Sequence, residues 1–353
     1  MPAYTVLICD STTDIALGEV PAITITYGEV LNGAGAASVE IPLNTPAGNI
    51  SALAPLQQSI FVLRDGVPVW GGILWAYSMD AAANKATLSC TGFMSLLNRR
   101  RLRATVKYEG IDQALIVKDF VDVAQALSGG NMLIDTSDVV AVGKTRDRTY
   151  YDYERKNIGE AIEQMSDVRD GFDYAIRPAY VAGALTRRMT VTYPNTGRNT
   201  NIVLDTGSNV DLMSVTSDAT QMTTVQHIKG EGDGANALLA TATNAALLNV
   251  YPMVESLFAA QDVKQQSTMD DYAQRGIDLG KEPVVIPTVQ ISGESDPQIG
   301  SYITGDHVRV VANYGLLNID ATFRITAWTA VVAEVGSETI TIQLAPLEVF
   351  ANA

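Results

Sequence analysis

The tightest constraint on this chain lies near residue 65, where the apolar run Ile60 to Leu63 meets Asp65-Gly66 and then Val67, Val69 and Trp70. Asp-Gly between two apolar segments is hairpin chemistry, because both central positions of a two-residue turn need a positive φ that Asp and Gly adopt at low cost. Similar short strands fill the first hundred residues. Ile23, Ile25 and Tyr27 alternate with threonines, Val39 and Ile41 flank Glu40, and Lys85 to Cys90 reads as another strand. Short strands with Gly and Asn at the bends predict a β-sandwich or barrel.

The pattern breaks at Asn98-Arg99-Arg100-Arg101-Leu102-Arg103. From Ile111 to Leu127 the period becomes helical, with Ile116, Phe120, Val123, Ala124 and Leu127 on one stripe and Gly129-Gly130 as the stop. A second helix is predicted to start at Asn157, with Glu160 completing a capping box and Ile158, Ala161, Ile162, Met165 and Val168 buried. Gly171 ends it. Phe172, Tyr174 and Ile176 then alternate as a strand, paired through a turn with Met189, Val191 and Tyr193. The last third returns to strands at 284–291, 308–311, 322–328 and 339–344, with helices expected over Ala237 to Asn249 and Ser267 to Leu279. The expectation is a mainly β chain with an α+β insertion: a first β domain at 1–105 plus 200–228, the insertion at 106–199, and a second β domain at 229–353.

Composition narrows the function classes. The 353 residues suffice for two or three domains, yet only 18% are charged against 47% hydrophobic, where about 25% charged is usual. Too few charges to cover a whole exterior suggests extensive subunit contacts. With 24 Lys and Arg against 39 Asp and Glu, the net charge of −15 argues against tight binding of nucleic acid or an anionic membrane. Cys9 and Cys90 are too few for a disulfide scaffold, so a reduced compartment is the default. The start MPAYTVLICDSTTD lacks a basic leader region, and no run of eighteen apolar residues occurs. Neither a signal peptide nor a membrane helix is expected.

No motif specifies a catalyst. Val203-Leu204-Asp205-Thr206-Gly207-Ser208 matches the aspartic-protease loop, but that chemistry needs two carboxylates sharing a proton. Asp135-Thr136-Ser137 lacks the turn glycine, so only a homodimer could complete the dyad, and Asp205 reads better as a turn residue. Gly143-Lys144-Thr145 has Asp138 where a phosphate loop needs glycine, and Gly230-x-Gly232-x-Gly234 has the wrong spacing for a dinucleotide. His227 and His307 alone support neither a triad nor a zinc site, and no carboxylate pair stands out for glycoside hydrolysis. No catalytic, metal or cofactor residue is therefore expected. Trp70, Trp75 and Trp328 lie in apolar strands, which favours core over a carbohydrate platform. The basic run Arg99, Arg100, Arg101 and Arg103 is the candidate interaction site, facing acidic neighbours or a partner subunit in preference to phosphate.

The order of features resembles one family, the baseplate hub or minor tail proteins of long-tailed bacteriophages. The residues that carry this begin with Leu31-Asn32-Gly33-Ala34-Gly35, Val39-Glu40-Ile41-Pro42-Leu43, Phe61-Val62-Leu63-Arg64-Asp65-Gly66 and Val69-Trp70-Gly71-Gly72-Ile73-Leu74. Thr91-Gly92-Phe93, Leu96-Leu97-x-Arg99-Arg100, and Tyr108 with Ile111-Asp112-Gln113-Ala114-Leu115-Ile116 follow. Gly171-Phe172-Asp173-Tyr174, Gly230-Glu231-Gly232, Tyr251-Pro252 and Gly305-Asp306 extend the similarity over nearly the whole chain.

The resemblance implies two tail-tube-like barrel domains per chain and a homotrimer whose six barrels form a pseudo-six-fold ring. It implies a virion protein at the tail tip, made in the host bacterial cytoplasm, that meets the distal tail protein, tail tube, tape-measure protein and central tip or fibre proteins. DNA would be passing cargo only, with no tight membrane contact. The chain ends at Ala353, soon after the last expected strand, so lysozyme, peptidase or fibre extensions of some relatives are not expected. The alternatives are a hydrolytic enzyme, aspartic-protease-like through Asp205 or acting on cell wall, and a host-surface carbohydrate-binding module.

Overall fold

The computed structural model describes residues 2–43, 53–168, 170–194, 196–232, 234–260, 266–292, 295–333 and 336–347. Seven strands come first: β1 (Tyr4–Asp10), β2 (Ala16–Val20), β3 (Thr24–Val30), β4 (Ala36–Pro42), β5 (Gln58–Arg64), β6 (Val67–Asp80) and β7 (Lys85–Gly92). They lie in the order β2-β1-β5-β6-β7-β4-β3, every neighbour antiparallel. The β5–β6 turn places Asp65 at φ 51° and Gly66 at φ 79°, the conformation expected of the dipeptide. Along β4, Ala37, Val39 and Ile41 point inward, while β5 is buried from Gln58 to Leu63. Trp70 and Trp328 are buried and Trp75 is half-buried; the Trp70 indole donates to Gly28 O at 3.1 Å. Gly28 is obligatory there, since a Cβ would stand 2.4 Å from Trp328 O on a neighbouring strand.

The middle block is α+β: α1 (Met94–Leu97), β8 (Val106–Asp112), α2 (Gln113–Gln125), β9 (Ile134–Asp135), β10 (Thr145–Tyr150), α3 (Ile158–Ser166), β11 (Asp173–Val181) and β12 (Ala184–Thr192). The expected hairpin is present, with Tyr174 opposite Val191 and Ile176 opposite Met189. Phe120, Ile116, Ile162, Met165, Phe172 and Met189 share one core. Val123 is a correction, because it is 42% exposed while Ala114, Val117 and Val121 are buried. At 100° per residue it falls just outside the buried arc. Asp112 caps α2 by accepting from Ala114 N at 2.9 Å, and its other oxygen accepts from Val142 N and Gly143 N at 2.9 and 2.7 Å. Asn157 caps α3 through Glu160 N at 3.2 Å, but Glu160 pairs with Lys156 at 3.4 Å in place of closing a box.

The remaining elements are β13 (Asn199–Asp205), β14 (Asp211–Asp218), β15 (Val225–Lys229), β16 (Leu239–Thr243), β17 (Glu255–Ala259), α4 (Gln266–Leu279), β18 (Val284–Ser292), β19 (His307–Tyr314), β20 (Leu317–Val332) and β21 (Glu338–Pro346). The chain divides into two compact units, 1–213 with 288–344 and 214–287 with 345–353. In the first, β20 pairs with β3 from Ala327↔Val30 to Val332↔Ile25, so one sheet joins N-terminal and C-terminal strands. β21 continues it to β18, β19 pairs with β20, and β13 adds in parallel to β19. Buried Glu338 accepts from Arg64 Nε at 2.7 Å and from the Tyr4 hydroxyl at 2.5 Å.

In the second unit, β15 lies between antiparallel β16 and parallel β17, and Ile228, Ala240, Ala260, Met269 and Ala273 form the core. The expected helix over 267–279 is α4. The expected helix over 237–249 is not observed, because 239–243 is β16 and only Leu247–Asn249 forms a 3-10 turn. Alanine and leucine favour a helix, but Thr241 and Thr243 suit a strand and the five-residue ladder with β15 overrides the local preference.

Candidate interaction surface

The basic run leaves α1 and enters the α+β block. Arg100 turns inward, its guanidinium donating to Gly130 O at 2.7 Å and to Ala124 O, so it holds the carbonyl end of α2. Burial, then nearby Arg103, lowers the Arg100 pKa without threatening its charge. Arg99 lies over the Trp75 ring at 5.6 Å from the centroid. Arg101 Nη1 donates to Arg155 O and Arg155 Nη1 to Arg103 O, each at 3.1 Å. Arg99, Arg101 and Arg103 are exposed and Arg100 is half-buried. The run is thus anchored by backbone carbonyls; Arg155, which locks it, was not singled out in the sequence because it lies fifty residues downstream.

The other motifs take ordinary structural places. Asp205 ends β13, where its Oδ1 accepts from Gly207 N at 2.8 Å and its carbonyl accepts from Ser208 N at 3.0 Å. It is a turn residue. Asp135 makes the same kind of turn with Ser137 N at 2.9 Å. Among the described residues no hydrogen bond joins Asp205 to a second carboxylate. Lys144 pairs with Asp170 at 3.3 Å and lies over Tyr193, and Gly230 N donates to Leu238 O between β15 and β16. His227 bonds Thr241 and Glu255 at 3.0 and 3.1 Å, while His307 contacts Asn199 at 2.6 Å. Burial pushes the thiols of Cys9 and Cys90 up to about 12, which makes them poor nucleophiles. Among the described residues no group of three His, Cys, Asp or Glu is placed to hold a metal ion, and no helix is long and apolar enough to cross a membrane.

The fold is that of phage tail proteins. A tail protein from Neisseria meningitidis matches with a TM-score of 0.63 at 11% identity, over 99% of this chain and 98% of its own. The 43 kDa tail protein of prophage MuSo2 from Shewanella oneidensis matches with a TM-score of 0.63 at 12% identity, over 98% and 99%. A prophage tail protein from Listeria monocytogenes matches with 0.57 at 14% identity, over 99% and 98%. A chain of a Francisella PdpA-VgrG complex is similar at 0.57, covering all of this chain but 53% of its own. No family model and no curated protein matches by sequence.

Proposed function

We propose that the chain is a structural component of a bacteriophage tail tip, the baseplate hub, and not an enzyme. The observation that carries this reading is fold agreement from end to end in both directions with two tail proteins, at 98% or more of each chain. A shared domain alone would leave one partner partly unmatched. The family resemblance across the sequence supports the same reading. Three copies would form the pseudo-six-fold ring, each contributing two tube-related β domains. The ring would join the tail tube to the distal tail protein, tape-measure protein and central tip or fibre proteins. Similarity to a chain solved within a PdpA-VgrG complex supports a fold that associates with other components.

DNA would pass through without being held. Each copy carries −15, and DNA bears one negative charge per ~1.7 Å of axis, so an acidic bore would repel it. Only charges within about 8 Å act at physiological ionic strength, which restricts the effect to residues lining the bore. The enzymatic alternative is tested with casein at acidic pH and with peptidoglycan. The expected outcome is no cleavage by the wild type, and cleavage that disappears in Asp205→Asn overturns the structural reading.

A further inference from the structure

Residues 99–109 and 144–156 hold ten of the chain's 24 Lys and Arg but four of its 39 Asp and Glu. These segments carry +6, which leaves −21 on the rest of a chain whose total is −15. The fold brings the two segments side by side in the first unit, with Arg100 and Arg146 turned inward to backbone carbonyls, Lys144 paired with Asp170 and Lys156 with Glu160, and the other cations facing outward. β8 and β10 pair from Val106↔Tyr150 to Asp112↔Thr145, Leu102 N donates to Lys156 O at 3.0 Å, and Asp152 N donates to Thr105 Oγ1 at 3.1 Å. Beside them Tyr151 and Tyr153 stack, with centroids 5.3 Å and planes 12° apart, and Tyr153 is 76% exposed. Arg99, Arg101, Arg103 and Arg155 are exposed, and among the described residues none of them meets a carboxylate.

We propose that this surface docks on an acidic face of a second copy of the same chain. The inference rests on the ring proposed above and assigns one of its contacts. Two features select a protein partner. The segments contain seven Arg and three Lys together with an exposed tyrosine stack, and Arg and Tyr are enriched at protein interfaces where Lys is depleted. The bonds from Arg101 to Arg155 O and from Arg155 to Arg103 O also hold the guanidinium groups of Arg101 and Arg155 in place before any partner arrives, which lowers the ordering cost of docking. Charge selects the copy, because the chain carries −21 outside this surface. A basic face on an acidic face is a head-to-tail contact, the kind that closes into rings.

Sedimentation velocity on the purified full chain tests this at about 50 mM and about 500 mM NaCl, where the screening length shortens from more than ~10 Å toward ~3 Å. Wild type is expected to self-associate at low salt and to lose at least about tenfold in affinity at high salt. The triple variant Arg101→Glu, Arg103→Glu, Arg155→Glu should remain monomeric with an unchanged circular dichroism spectrum. If that variant does not fold, Tyr153→Ala decides, and it should weaken association. Monomeric wild type at low salt, association indifferent to both variants, or binding of a labelled DNA oligonucleotide in place of self-association overturns the proposal. Detection of the tagged chain in phage tails tests the ring reading separately. A chain that assembles into a tail ring with the variants intact overturns this contact alone, and a chain absent from tails overturns the ring.

Discussion

At the scale of single residues, fully buried Arg187 concentrates the risk. Its fork donates to Asp14 at 2.8 and 2.7 Å, and further bonds reach Met132 O and Ser11 O at 2.7 and 2.9 Å, with Phe93 beneath at 4.4 Å. Burial of the pair is costly, but removal of one member leaves the other charge unmatched. Arg187→Met is therefore expected to cost about 3–5 kcal/mol in urea unfolding, and adding Asp14→Leu should recover part of it. Recovery of nothing would mean that the carbonyl bonds, and not the ion pair, carry the effect. His307 sets a pH dependence. Burial, then Arg324, pulls its pKa below the usual 6.5, so the unfolded chain takes the proton more readily than the folded one. Its contribution to stability is present above about pH 6.5 and is lost as pH falls through the lower folded value. The melting temperature should fall between about pH 7 and 5, and His307→Gln should flatten that decline. An identical profile in the variant removes His307 from the account.

Among the elements, the ones easiest to read in the sequence were those whose determinants are local. The Asp65-Gly66 hairpin, the Asn157 cap and the helix over 267–279 each declare themselves within a few residues. β16 did not, because its strand state is imposed by pairing with β15, and β1 and β2 went unread because Tyr4–Asp10 has no strict alternation and is defined by β5 opposite it. The candidate surface was half legible. Arg99 to Arg103 stood out as a run, whereas 144–156 is brought beside it by the β8–β10 ladder, a long-range pairing invisible to composition. Asp112 ties these levels together, since one carboxylate caps α2 and holds the loop at 142–143 before β10. Asp112→Ala is expected to cost about 1–3 kcal/mol, measured by denaturant unfolding. Asp112→Asn should keep part of the capping bond, and equal losses in both variants would contradict the capping role.

For the whole molecule, the low charged fraction and the full-length match to tail proteins bear on the same question, namely what covers the exterior of a chain only 18% of whose residues are charged. The proposed ring of copies would answer it, since each subunit would bury uncharged surface against its neighbours and present acidic residues to a negatively charged cargo. That arrangement would also give regions of opposite charge separate tasks, with the basic segments at a contact and the acidic remainder free to face the bore. The family resemblance supplies the copy number. The most direct measurement is an averaged electron-microscopy reconstruction of the tail tip carrying a tagged version of this chain. The account predicts the tag on a ring of three copies coaxial with the tail tube; two copies, six copies, or tagged chain absent from the tail would contradict it.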